Sequence, residues 1–219
     1  MDDEIKTMVI TYRFNSNYYL HRNEVSPSVM ASFMGSLKSL PSGLLNFRNY
    51  ESMRWDSDIV FWFSSRRSED LVRTKQILNF SFQGYADAQY SMFALYEHSP
   101  YARNGTTLDD TLRFPPKKYF IAYPMIKDPT WYLEPSEERK RIMSEHISMA
   151  VNDPENSDIR SYTTYSYGIG DQEFIVMYET DSLTDWSHVT QRLREAKQRK
   201  WITKEYPIFV GIYQDELKF

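Results

Sequence analysis

Four side chains within 24 residues of one another could act jointly on a ligand: Tyr123, Lys127, Trp131 and His146. His146 is the most informative. It lies three residues after Met143 and four after Ile142, so on a helix it joins the apolar stripe of Ile142, Met143, Ile147, Ala150 and Val151. Lys140, Arg141, Ser144, Glu145 and Ser148 fall largely on other faces. An imidazole so placed is either a hydrogen-bonded core histidine or a ligand aimed at an iron, since neutral imidazole binds iron well and a helix holds it rigidly. The run Tyr123-Pro124-Met125-Ile126-Lys127, followed by Trp131-Tyr132, sets a cation among aromatic rings. Such a group could hold the carboxylates of a porphyrin-sized molecule. The alternative is a solvent-facing lysine beside ordinary aromatic packing.

Other chemistries are excluded or weakened. The 219 residues contain no Cys, which rules out thiolate metal sites, disulfides and cysteine nucleophiles. Gly168-Ile169-Gly170 lacks a third glycine and sits between two strand-like runs, so it reads as a hairpin turn and not a dinucleotide loop. Neither a GxSxG nor an HExxH motif occurs. His21, His98 and His188 show no metal-ligand spacing, and Glu134, Glu137 and Glu138 read as charges at a helix start. The net charge of −4 argues against nucleic acid as a partner. The acidic start Met1-Asp2-Asp3-Glu4 has no apolar signal core, and nowhere do 18 apolar residues run together. The expectation is a cytoplasmic protein without a membrane partner.

The elements that must position these residues recur twice. Residues 8–14, 47–55, 58–64 and 89–97 are rich in β-branched and aromatic residues and read as strands. Between them, Ser26-Pro27 with Met30, Phe33, Met34, Leu37 and Leu40 predicts one helix, and residues 68–79 predict a second. The second half repeats this order with strands at 118–125, 160–167, 172–179 and 205–214. Its helices are predicted at 135–151 and, behind a capping box at Ser182-Leu183-Thr184-Asp185, along Leu183, Trp186, Val189 and Leu193. Ile10 to Phe14 resembles Ile121 to Met125 at an offset of 111, and Asp58 to Phe63 resembles Glu173 to Tyr178 at an offset of 115. The fold class expected is α+β: two tandem ferredoxin-like βαββαβ units, residues 1–97 and 118–219, joined by a linker at 98–117. Two sheets, each with one uncovered apolar face, would bury those faces against each other in an α+β barrel.

Taken in order, Lys118 to Lys127, Trp131-Tyr132, the helix with His146, and Tyr167-Gly168-Ile169-Gly170-Asp171-Gln172-Glu173-Phe174 resemble the chlorite dismutase family. That family includes chlorite-decomposing haem enzymes and coproheme decarboxylases. The resemblance implies haem b, or iron coproporphyrin as substrate, in a barrel commonly assembled as a ring of five subunits. It puts His146 at the proximal iron ligand and Lys127, Trp131 and Tyr132 beside the haem. Tyr123 with Lys127 also matches the pair that coproheme decarboxylases use. Two positions depart from the pattern. The distal arginine of chlorite-degrading members aligns with Ser161, with Arg160 adjacent, and strand alternation lets Arg160 enter the pocket only through a bulge or register shift. The glutamate that hydrogen-bonds the proximal histidine falls at Gln198, a neutral amide that raises imidazole basicity less. The leading expectation is a haem oxidoreductase acting on chlorite or peroxide, with peroxidase activity included. Coproheme decarboxylation comes next, then a non-catalytic porphyrin carrier or cofactor-free assembly protein.

Overall fold

The computed structural model of the chain describes residues 4–97 and 107–215. Its strands are β1 (Ile5–Phe14), β2 (Leu44–Ser52), β3 (Ile59–Ser65), β4 (Ala86–Tyr96), β5 (Tyr119–Lys127), β6 (Arg160–Tyr165), β7 (Phe174–Thr180), β8 (Ile202–Lys204) and β9 (Phe209–Tyr213). Its helices are α1 (Ser16–Leu20), α2 (Arg22–Leu37), α3 (Ser68–Ser81), α4 (Leu108–Arg113), α5 (Thr130–Leu133), α6 (Ser136–Val151) and α7 (Leu183–Leu193).

Strands run in the order β7-β6-β4-β1-β3-β2-β9-β5-β8, and a further β5–β7 pairing closes eight of them into an antiparallel ring. Each half keeps the ferredoxin-like arrangement with its first and third strands central: β4-β1-β3-β2 in one, β6-β7-β5-β9 in the other. The halves also meet edge to edge, which a face-to-face stack of two sheets does not require. Tyr50, Glu51 and Ser52 pair with Tyr213, Ile212 and Gly211, and Leu95 pairs with Tyr165. Edge strands thereby satisfy the backbone groups that an open sheet would leave unpaired.

Alternation along the strands divides the apolar residues between two layers. Ile5, Val9, Val60, Trp62, Phe120, Ala122, Tyr162, Ile175 and Met177 fill the barrel. Within that interior, Glu179 is fully buried and takes Arg48 Nη1 at 2.6 Å, Tyr162 at 2.7 Å and Tyr50 at 3.2 Å. Arg48 Nη2 in turn donates to the carbonyls of Leu112 and Phe114, both at 2.7 Å, and so anchors α4. This helix, capped by Thr107 and Asp110, occupies part of the stretch read as a linker. Residues 98–106 of that stretch, with His98 and Asn104-Gly105, lie outside the described residues.

The opposite face of the first half is filled by aromatic rings. Phe61 of β3 lies 5.7 Å from Phe33 of α2, 5.9 Å from Phe82 and 5.8 Å from Tyr12, measured between ring centroids. The helix that carries Phe33 does not begin at Ser26-Pro27. It runs from Arg22 with Pro27 inside it, and α1 before it is capped by the Asn15 side chain, which accepts from Tyr18 N–H. A proline in a helix interior gives up one backbone bond, and packing of Val29 and Phe33 on the sheet compensates for it here. The expected strand at 205–214 is divided between β8, which pairs with β5, and β9.

Register also corrects the internal repeat. Ile10 faces Phe61 across β1–β3, and Tyr123 faces Val176 across β5–β7. With β3 matched to β7 at 115 (176 − 61), the first strands match at 113 (123 − 10), two residues beyond the sequence-based 111.

Candidate functional site

The second half covers its outer sheet face with α6 and α7, yet the layer between them is not filled. A cavity of about 1070 Å³ lies there, walled by Tyr123, Met125 and Lys127 of β5, Ser161 and Thr163 of β6, and Val176 and Tyr178 of β7. Val176 holds the place that Phe61 holds in the first half, so a methyl-bearing side chain replaces a ring.

His146, Met143 and Ile147 of α6 line the opposite wall. Helix α6 starts after Pro135 with Glu137 and Glu138 in its first turn, where they suit the dipole. These two pair with Lys140 at 2.9 Å and Arg141 at 2.5 Å, so they belong to a solvated helix face. The His146 imidazole is driven down to about 4 by burial and then by the nearby charges of Lys127 and Arg199, and is therefore neutral at pH 7. A neutral imidazole is the form that binds iron.

Lys127 is only 5% exposed. Its Nζ sits 3.6 Å from the centroid of the Trp131 ring and 3.8 Å from Met143 Sδ, while its backbone N–H donates to Glu173 Oε2 at 2.7 Å. Burial lowers the ammonium to about 8, against the pull of Glu173. A buried cation over an indole face is held by the ring quadrupole and is short of water, which suits it to an anionic group. Trp131 is placed by the single turn of α5, nucleated where Asp128 accepts from Thr130 N–H at 2.9 Å and Thr130 hydroxyl at 2.6 Å. It packs edge-on against Trp201 at 5.2 Å. Tyr132 does not join this wall. Successive helical residues diverge by about 100°, and Tyr132 points outward, its hydroxyl 3.2 Å from that of Tyr167.

Tyr123 faces the cavity with its ring 6.2 Å from that of Tyr178, and its phenol is pushed up to about 12, first by burial and then by the Glu205 carboxylate. Arg160 is not brought to this wall. The β6–β7 register runs without a bulge from Arg160 opposite Glu179 to Tyr165 opposite Phe174, so Arg160 shares the inward face with Tyr162 and Thr164. Arg160 is still among the residues bordering the cavity, but its guanidinium ends on Glu179 Oε2 at 3.3 Å and the Pro115 carbonyl at 2.7 Å. Ser161 occupies the wall position instead. Gln198, on the 3-10 turn Lys197–Trp201, is buried and lines the cavity on the side of α6.

Sequence reasoning missed a second charged group on the lining. Glu205 accepts from Arg194 Nη1 at 2.6 Å and Arg199 Nη2 at 2.8 Å, with a further bond to Arg199 Nη1. Burial opposes ionisation of Glu205, but the two arginines outweigh it and hold the carboxyl below its ordinary value. The signal was the basic run from Arg192 to Lys200, which reads as a solvated helix end unless the return of the chain at Glu205 is known. His188 pairs with Glu155 at 3.2 Å on the surface, and among the described residues no group of three or more His, Asp or Glu side chains could hold an ion. Among the described residues no helix is long and apolar enough to cross a membrane.

Comparisons with known proteins converge on this architecture. The chlorite dismutase family model matches residues 27–214. A coproheme decarboxylase from Mycolicibacterium smegmatis is 30% identical over 162 residues, covering 73% of this chain and 68% of that protein. The structure of TA0507, assigned to the chlorite dismutases, superposes with a TM-score of 0.92 at 43% identity, over 97% of this chain and 96% of its own. A haem-binding protein from Thermus thermophilus has a TM-score of 0.82 at 16% identity, over 97% and 92% of the two chains, and shares the fold. With a barrel of this strand order, a hollow second half and a model match over most of its length, the chain belongs to the chlorite dismutase family.

Proposed function

We propose that this chain binds an iron tetrapyrrole in the cavity of its second half and decarboxylates iron coproporphyrin. One observation carries the reading: Tyr123 and Lys127 face the same cavity as His146, while the guanidinium of Arg160 is spent on Glu179 and Pro115. The lining fits such a ligand. It offers aromatic and aliphatic walls, a neutral imidazole, and cations at two places, Lys127 and the Arg194–Arg199 pair, in a volume at the upper end for small-molecule sites. The coproheme decarboxylase relative and the haem-binding protein of the same fold support the choice of ligand. Haem b is the corresponding product.

His146 would ligate the iron, and Gln198 lies on the same side to orient its ring. Once bound, the tetrapyrrole supplies redox chemistry, passing two electrons to peroxide for each carboxyl lost. The reaction balances as one propionate, one hydrogen peroxide and one proton giving one vinyl group, carbon dioxide and two waters. Lys127 pairs with a ligand carboxylate. Trp131 keeps water from that pair, and Tyr123 gives up and regains a hydrogen at its phenolic oxygen next to the side chain being cleaved. Chlorite chemistry, the other reading of the sequence, wants a mobile cation on the sheet wall to hold the departing anion, and Ser161 and Thr163 stand there instead.

Incubating the protein with iron coproporphyrin III and hydrogen peroxide should give stepwise loss of two carboxyl groups by mass spectrometry, and Tyr123→Phe should stop it. Retention of all four carboxyls by the wild-type reaction removes the proposal, and chlorite turnover under the same conditions would favour the other. A ring of five subunits is the assembly the resemblance implies, and light scattering measures it directly.

A further inference from the structure

Three hydroxyls cross three adjacent strands on the cavity wall. Ser161 of β6 lies directly opposite Tyr178 of β7, and Tyr123 of β5, opposite Val176, is the diagonal neighbour of Tyr178 on the other side. The Tyr123 and Tyr178 rings are nearly parallel, 26° apart with centroids at 6.2 Å. Trp186 of α7 covers Tyr178 with a centroid distance of 4.1 Å, fixing its ring. All four side chains line the cavity. Their acidities are linked as well: Tyr178 is held far above the ordinary phenol value by burial and by Tyr123, and Ser161 works in the opposite sense.

This row answers a need set by the reaction. In giving up a hydrogen, Tyr123 would lose its phenolic proton together with an electron, because a phenol radical cation is a strong acid in a site sparing of water. The two peroxide oxygens, for their part, need protons to depart as water. We propose that Tyr178 and Ser161 relay the Tyr123 proton along the sheet wall to the oxidant. The inference rests on the decarboxylation reading above.

In this relay the Tyr123 proton passes to the Tyr178 oxygen as the Tyr178 hydroxyl proton passes to Ser161, and the Ser161 proton completes a water on the oxidant. The Tyr123 radical then takes a hydrogen atom from the propionate chain and is again a phenol. The carbon left behind gives up its second electron and carbon dioxide to become vinyl. The second proton needed by peroxide comes from solvent, so one turn restores all three hydroxyls. Tyr178 acts through Tyr123 and is a positioning residue for it, while Ser161 meets the oxidant itself.

The test uses the full chain with and without iron coproporphyrin III. In the unloaded protein labelled with [13Cζ]-tyrosine, Tyr178→Phe should move the Tyr123 resonance, itself assigned by its loss in Tyr123→Phe. In the loaded protein, Tyr178→Phe and Ser161→Ala should bind iron coproporphyrin as the wild type does, yet decarboxylate about a hundredfold more slowly and lose the wild-type solvent deuterium isotope effect. Ser161→Thr should restore both. An unmoved Tyr123 resonance overturns the relay whatever the activity. A moved resonance with unchanged rate and isotope effect overturns it while leaving decarboxylation standing. Failure of the wild type itself to decarboxylate overturns both.

Discussion

Val176 stands on β7 where Phe61 stands on β3, each opposite the corresponding first-strand residue, Tyr123 and Ile10. Phe61 is fully buried among Tyr12, Phe33 and Phe82, whereas Val176 faces an open cavity. Two copies of one motif therefore differ in whether their sheet-to-helix layer is filled.

Restoring the ring should close the site. Val176→Phe is expected to keep the fold, since it adds apolar bulk to existing empty space and not to a packed core, and to weaken tetrapyrrole binding at least tenfold. Visible titration with iron coproporphyrin, alongside circular dichroism of the unloaded protein, checks both halves of the statement.

Among the described residues, His146 is the sole histidine lining the cavity. A Soret band formed on titration with haem should shift and weaken in His146→Ala, and added imidazole should return it. A spectrum identical to the wild type would take the ligand role away from this residue.

Arg48 and Glu179 form an ion pair inside the barrel, 5% and 0% exposed. Removing Arg48 leaves the buried Glu179 with Arg160 at 3.3 Å as its remaining counter-charge and takes the donor from the Leu112 and Phe114 carbonyls, so Arg48→Met should cost about 3 kcal/mol in urea unfolding. The double variant Arg48→Met, Glu179→Gln should recover part of this, because the remaining amide is uncharged and still meets Tyr50 and Tyr162.

Glu205 predicts a pH dependence. Its folded-state pKa lies below the ordinary glutamate value, so its contribution to stability is complete above the unfolded pKa of about 4.3 and fades as pH falls through the lower folded one. Wild type should exceed Glu205→Gln by a constant margin between about pH 6 and 8, with the margin shrinking below about pH 4. Urea midpoints across that range measure it; a margin that grows on acidification contradicts the sign.

Gly168 turns the β6–β7 hairpin at φ 71°, and a Cβ there would meet nothing within 4 Å. Gly168→Ala should therefore lower stability by about 1 kcal/mol through backbone strain alone, without altering ligand titration.

The order of strands and helices was legible because β-branched and aromatic residues cluster along β3 and β7 and apolar residues repeat at helical spacing along α6. That the Arg160 strand position faces away from the cavity wall was legible too, since only a bulge or register shift could reverse its parity and neither occurs. The start of α2 was not. Asn15 opens a helical segment earlier than Ser26-Pro27 suggests, and packing of Val29 and Phe33 outweighs the lost proline bond. Nor could the Arg194–Glu205–Arg199 cluster be read, since it depends on the chain doubling back after α7. Tyr132 beside Trp131 looked equivalent in sequence, and only the direction of one helical turn separates them.

The two seams that close the ring are unequal: three bridged pairs join β2 to β9, and the single pair Leu95–Tyr165 joins β4 to β6. A closed sheet of this kind behaves as a clasp with a spine. Opening should be easier at β4–β6, where Tyr96 and Tyr165 border the cavity, than at β2–β9, and faster amide exchange along it would mark a route for admitting a broad, flat molecule to the hollow half.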